Sequence, residues 1–170
     1  MNSLKFLTDA ERLHLETTMR ERLETDTRNA ALLLFSLHTG ARAEEVLGVQ
    51  WQDLNLESGT VLIRTLKGGE NRELPLPRWI LKPLSILKTS SPLKPFDLSY
   101  NRFGEIWREY RPCVKPLHSL RHTFAMRLYE RRKDIRLVQY ALGHRNIQNT
   151  MIYANYSYSV SELRKAIGMR

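Results

Sequence analysis

What this sequence lacks narrows its function early. A single cysteine, Cys113, stands among 170 residues, so no disulfide can close within the chain and a reducing, intracellular setting is expected. The thiol itself reads as an ordinary loop residue. Long apolar runs are missing too: the longest, Ala30–Phe35, is six residues, against the roughly 20 needed to span a bilayer. The N-terminus shows no signal-peptide pattern, and no basic amphipathic helix or lipidation signal points to a membrane. A cytoplasmic location, in a bacterial, archaeal or viral-host cell, is therefore expected. No metal-binding motif occurs. Gly68-Gly69 follow Lys67 without the spacing of a phosphate-binding loop, and no repeat or low-complexity tract appears.

What is present is an ordinary globular balance with one bias. Hydrophobic residues make up 42% and charged residues 26% of the chain, a soluble composition with enough apolar surface for one domain. Lys and Arg number 27 against 18 Asp and Glu, a formal charge of +9. Such an excess suits a polyanionic partner, with nucleic acid foremost.

The local patterns predict a mostly α-helical α+β fold with a small antiparallel sheet. Thr8-Asp9-Ala10-Glu11 reads as a capping box opening a helix to about Leu23. Asp26 caps a second helix, whose apolar stretch ends at Gly40. A short helix follows over 43–48. The segments 59–65 and 72–76 alternate as a β-hairpin with its turn near Gly68-Gly69, and Pro75 places the second strand at an edge. Further helices are expected over 79–88, from Ser99 to Tyr110, from His118 or Ser119 onward, over 134–142 and over 146–153. Ser159-Val160-Ser161-Glu162 is a second capping box.

Singly, the polar residues along this frame admit plain structural roles. Arg42 follows Thr39-Gly40-Ala41 at a helix end, where arginines meet carbonyls. Lys67 sits at a hairpin turn, and His144 follows a helix C-terminus. Tyr153 fits a core aromatic with a bonded hydroxyl. Order and spacing say more. Thr39-Gly40-Ala41-Arg42-Ala43-Glu44-Glu45, Lys67 in the hairpin, His118-Ser119-Leu120-Arg121-His122-Thr123-Phe124-Ala125, Leu142-Gly143-His144, and Tyr153 nine residues on together resemble the tyrosine recombinases, or phage integrases, over roughly Thr39–Ser157.

That resemblance implies a DNA-breaking and rejoining catalytic fold, and a transesterification through a 3′-phosphotyrosine. Arg42 and Arg121 would offer permanently charged N–H forks to the nonbridging oxygens of the transferring phosphate. Loss of one such donor costs roughly 3–4 kcal/mol of transition-state stabilisation. An unperturbed tyrosine titrates near about 10, so Tyr153 needs help losing its proton, and His118 is the candidate for that task. The resemblance makes Lys67 the general acid for the departing 5′-oxygen. His144 would hydrogen-bond a phosphate oxygen, and Glu45 would orient Arg42, with Glu44 pointing elsewhere. No cofactor is implied, because the arginines and lysine supply the charge and the phosphotyrosine keeps the bond energy.

Tyr156 and Tyr158 lie close behind, so Tyr153 is selected by its distance from His144 and its Thr-x-x-Tyr context. Type IB topoisomerases and telomere resolvases use similar residues, although the compact order here is more integrase-like. A DNA-binding module without catalysis is the other alternative. Only some forty residues precede Arg42, fewer than an added DNA-clamping domain needs. Residues 1–170 are expected to form one catalytic domain, from a longer protein or a short catalytic-only member. Double-stranded DNA is the expected partner. The chain should be monomeric alone and tetrameric on DNA, linked by the helix that Ser159 opens.

Overall fold

The computed structural model describes residues 5–66, 68–155, 164, 167 and 168. Lys67, Tyr156, Tyr158 and the capping box expected at 159–162 lie outside the described residues. Eight helices and three short strands follow one another in the described part. None of these helices is long and apolar enough to cross a membrane.

Helix α1 (Asp9–Glu21) opens on the expected capping box: Thr8 Oγ1 accepts from the Glu11 N–H at 3.3 Å, and Glu11 Oε2 accepts from the Thr8 N–H at 2.7 Å. Leu15 and Met19, one turn apart, are its buried face. Helix α2 (Thr27–Thr39) is buried from Asn29 to Leu37 without a break. A helix apolar all round must be central, and α2 is packed by α1 and by three further elements: α3 (Ala43–Gly48), α4 (Arg78–Ser90) and α6 (Ser119–Arg132). Its two late hydroxyls cause no orphaned groups, because Ser36 Oγ donates to Leu32 O and Thr39 Oγ1 to Phe35 O.

Asp26 stands at the N-terminus of α2, as expected, but its side chain caps no backbone N–H. Its Oδ2 accepts instead from Asn29 Nδ2 at 3.1 Å and from the Tyr110 hydroxyl at 2.7 Å. Asp26 thereby ties α2 to the end of α5 (Tyr100–Tyr110).

The hairpin forms where alternation placed it, from β2 (Thr60–Ile63) and β3 (Arg72–Pro75), antiparallel with Ile63 opposite Arg72 and Thr60 opposite Pro75. A two-residue strand, β1 (Leu54–Asn55), adds to the other side of β2. The order β1-β2-β3 leaves Pro75 on an edge strand, where its missing N–H costs no ladder bond. Along β3, Arg72 and Leu74 point inward and Glu73 and Pro75 outward.

Two apolar clusters result. The larger is centred on α2 and gathers Val61, Ile63 and Leu74 from the sheet, with Ile80, Phe96, Phe103 and Trp107 from the helices and loop beyond it. The smaller consists of Ala125, Met126, Tyr129, Val138, Leu142 and Tyr153. It lies between α6, α7 (Ile135–Leu142) and α8 (Gln148–Ala154). Asp134 caps α7, accepting from the N–H groups of Arg136 and Leu137. Helix α8 starts later than expected, because Asn146 turns its Oδ1 to the Gln148 N–H at 2.9 Å and so precedes the helix.

Candidate active site

Glu45 is the hub. It occupies the first turn of α3, so its carboxylate reaches back to the Arg42 N–H, Oε2 accepting at 2.9 Å. Although only 3% exposed, it also accepts from Arg42 Nη1 at 3.1 Å and from Arg72 Nη2 at 2.8 Å and Nη1 at 3.3 Å, with Arg121 Nη1 4.0 Å away. Burial alone pushes a carboxyl upward; the Arg72 hydrogen bonds and charge outweigh it and hold Glu45 below its ordinary range. Three guanidiniums thus surround one carboxylate, which leaves positive charge without a partner in a partly desolvated place. Glu44 is exposed, as its helix position predicts.

Arg121 is the most deeply set of the expected site residues on α6, 2% exposed. Its Nη1 donates to Gly40 O at 2.7 Å, and its Nη2 donates to Leu142 O at 2.9 Å. Those two carbonyls belong to the ends of α2 and α7, each stopped by a left-handed glycine, Gly40 at φ +60° and Gly143 at φ +66°. Only glycine fits at position 40 for a second reason: a Cβ there would lie 2.3 Å from Phe124 on α6. The close α2–α6 approach is what lets Arg121 reach both helix ends. Burial, and then Arg42, draw its pKa down to about 10, so it stays charged at neutral pH. A cavity of about 220 Å³ opens here, with Arg42, His118 and Arg121 among its polar lining and Phe103 and Leu117 among its apolar lining.

His144 lies on the opposite side of Arg121, its Nε2 3.0 Å from Arg121 Nη2. An arginine only donates, so Nε2 is the acceptor and Nδ1 carries the proton, donating to Thr150 Oγ1 at 2.9 Å. Burial and the nearby Arg121, Arg42 and Arg72 bring His144 down to about 4, in keeping with this neutral tautomer. The expected donation to a phosphate oxygen therefore needs Nε2 to carry a proton, by exchange of tautomer or by protonation, in place of the lone pair that meets Arg121 here.

Tyr153 is 2% exposed, with its ring in the smaller apolar cluster. Burial, exceeding the opposite influence of Arg121 and Arg42, raises its hydroxyl to about 12. The partner of that hydroxyl differs from expectation. His122 Nδ1, not His118, lies 2.9 Å from Tyr153 Oη. The two histidines are one turn apart on α6, their rings edge-on at 4.7 Å. His118 stands at the N-cap of α6 and lines the cavity, whereas His122 faces α8.

The structure thus brings Arg42, His118 and Arg121 to one cavity, with Glu45 bonded to Arg42, His144 to Arg121 and Tyr153 to His122; Lys67 falls outside the described residues. The hairpin tip beside it is fixed, because the Glu70 N–H donates to Gly143 O at 3.1 Å. Two residues of the site were not singled out in the sequence. Arg72 was signalled by β3 alternation, which puts it inward with Leu74 and obliges a buried cation to find an acid. Its Nε also donates to Ala141 O at 2.9 Å. His122 was signalled by its four-residue spacing from His118, which shares a helix face as surely as the His118–Arg121 pair does.

A sequence model of the Phage integrase family matches residues 5–92 and 105–159. Tyrosine recombinase XerA of Pyrococcus horikoshii is 30% identical over 155 residues, covering 82% of this chain and 54% of that protein. Tyrosine recombinase XerC of Mesorhizobium japonicum is 34% identical over 143 residues, 74% of this chain and 46% of that protein. The chain spans about half the length of the curated relatives it matches. Among solved structures, XerH bound to difH substrate in a pre-cleavage complex superposes with a TM-score of 0.73 at 25% identity, over 96% of this chain and 53% of that one. The catalytic domain of bacteriophage HP1 integrase shares the fold at a TM-score of 0.70 and 22% identity, over 97% of this chain and 94% of that one. With the family match extending over most of its length, the chain belongs to the phage integrase family of tyrosine recombinases.

Proposed function

We propose that this chain is the catalytic domain of a site-specific DNA recombinase that cleaves and rejoins strands through a 3′-phosphotyrosine on Tyr153. The observation that carries this reading is the excess of guanidinium charge around Glu45, beside a cavity lined by Arg42, His118 and Arg121. A phosphodiester anion supplies the missing negative charge. Arg42 and Arg121 take its nonbridging oxygens, with Glu45 setting the angle of Arg42, and His118 meets the same phosphate from the cavity wall. His144 joins them once its Nε2 carries a proton. Lys67 protonates the departing 5′-oxygen. Positive charge of this kind stabilises the transition state without metal or nucleotide.

Double-stranded DNA is the partner, in keeping with the +9 charge. The domain is monomeric alone and assembles as a tetramer on DNA, since exchange between two duplexes needs four active sites. The segment from Ser159 onward, whose capping-box pattern favours a helix, makes that contact.

A library of nicked duplexes, in which cleavage releases a short strand and traps the protein, tests the reading. The unaltered chain forms a covalent adduct. Tyr153→Phe forms none while still binding DNA, and Tyr156→Phe and Tyr158→Phe keep it. Retention of DNA without any adduct would instead identify a binding module. An adduct in Tyr153→Phe would move the nucleophile elsewhere.

A further inference from the structure

Among the described residues the Tyr153 hydroxyl has a close titratable partner in His122, which is outside the set the family resemblance supplied. His122 Nδ1 lies 2.9 Å from Tyr153 Oη, the rings tilted at 54° with centroids 5.8 Å apart. This is hydrogen-bond distance for an O–H donor. His118, expected from its place in the pattern to take the proton, instead lines the cavity that holds Arg42 and Arg121. We infer that His122 is a catalytic residue, the base that takes the Tyr153 proton through Nδ1 as the tyrosine attacks the phosphate, and that His118 serves the phosphate. The inference rests on the function proposed above.

The step balances on this chain's own groups. The Tyr153 O–H bond breaks and its proton passes to His122 Nδ1. The oxygen's electron pair forms the new O–P bond. The P–O5′ bond breaks with its pair on O5′, which is protonated by the general acid. In rejoining, each transfer reverses, and the imidazolium of His122 returns the proton to the departing phenol oxygen.

The surroundings make His122 a usable acceptor. For a bare phenol raised to about 12, spontaneous ionisation at neutral pH is negligible, so the proton must leave as the O–P bond forms. His122 is drawn down to about 4 by burial, then by His118 and Arg121 on its own helix and by Lys5 from the N-terminal segment. Tyr153 is its partner from α8. An imidazole so lowered is neutral, with a free electron pair, throughout the physiological range. A phosphate seated on Arg121 cancels one of the charges that depress it, so docking the substrate strengthens the base at the moment of use.

The test is single-turnover cleavage of a nicked duplex between about pH 6 and pH 9. The unaltered chain gives a rate nearly independent of pH. His122→Asn, which keeps a polar atom near the Nδ1 position but no basicity, loses about 10²-fold or more. Its residual rate climbs about tenfold per pH unit while DNA affinity holds. Replacing Tyr153 by 3,5-difluorotyrosine, a far more acidic phenol, restores most of the rate in His122→Asn but not in His118→Asn. Rescue of His118→Asn alone, of both or of neither overturns the assignment. Should His122→Asn fold poorly by its thermal transition, the fluorinated tyrosine in the unaltered chain decides. Simultaneous loss of the His122-dependent solvent isotope effect supports the role, and an unchanged isotope effect overturns it. An unaltered chain that forms no adduct at all defeats the proposed function itself, a different outcome from adduct formation indifferent to His122.

Discussion

The two apolar clusters carry different halves of the site. The proposed phosphate cradle is anchored in the larger one: Glu45 projects from α3 beside α2, and Arg72 enters from the sheet. Tyr153 belongs to the smaller cluster, held by a seven-residue helix, α8, against α6 and α7. The first region is a broad, interlocked core, and the second rests on a handful of side chains. Segments with few buried contacts open at low free-energy cost. The proposed cradle and nucleophile therefore sit in regions of different rigidity.

The largest test of that division compares the two arginines. Arg42→Ala and Arg121→Ala should each slow cleavage by about 10²–10³-fold, measured as single-turnover adduct formation. Only Arg121→Ala should also lower the thermal transition strongly, because its guanidinium bridges the ends of α2 and α7 while the Arg42 side chain is 38% exposed. Equal stability losses would erase the distinction. Next comes Glu45→Ala, which leaves a buried Arg72 without its acid and should cost about 3–5 kcal/mol in denaturant unfolding. A near-neutral result would mean that Arg72 escapes to solvent.

Within the apolar parts, Leu33→Ala should destabilise the whole chain by about 2–5 kcal/mol and leave the exchange of α8 amides slow relative to global unfolding. Val138→Ala should cost less, about 1–3 kcal/mol, and selectively speed exchange in α8. Uniform acceleration in both variants would show one cooperative unit.

The last effect is with pH. His122 and His144 are held near about 4 when folded, against about 6.5 unfolded. The unfolded chain binds the extra protons, so their contribution is complete above about pH 6.5 and is lost as pH falls toward 4. Glu11 is lowered to about 2: burial alone would raise it, but Lys115 and the Thr8 N–H prevail. Its contribution is lost only below about pH 4.5. The thermal transition should therefore fall already between about pH 6.5 and 4.5, and His122→Asn should blunt that fall.

Most of the frame was legible from local rules. The capping box of α1, the glycine stops of α2 and α7, and the hairpin alternation are each settled by neighbours a few residues apart. What escaped needed distant partners. Strand β1 has two residues and no period of its own; only β2 makes it a strand. Asp26 looked like a helix cap because nothing local shows Tyr110, 84 positions away, claiming its oxygen. The site residues were readable in order, yet the pairing of Tyr153 with His122 depends on how α8 lies against α6. Tyr153 also satisfies the plainer reading of its position: it is a core aromatic with a bonded hydroxyl, as well as the expected nucleophile.

The contact between the hairpin tip and Gly143 has a mechanical consequence. A Cβ on Gly143 would lie 2.6 Å from Glu70 O, and one on Gly69 would lie 2.7 Å from Gly143 O, so the two turns are seated backbone to backbone. Gly143 leads directly into His144, whose Nδ1 holds Thr150 on α8. Any pull on the hairpin tip is thus geared, through one glycine and one imidazole, to the helix that carries Tyr153. A strand of DNA that grips the tip would load that transmission, and the tyrosine would feel the arrival of its substrate before touching it.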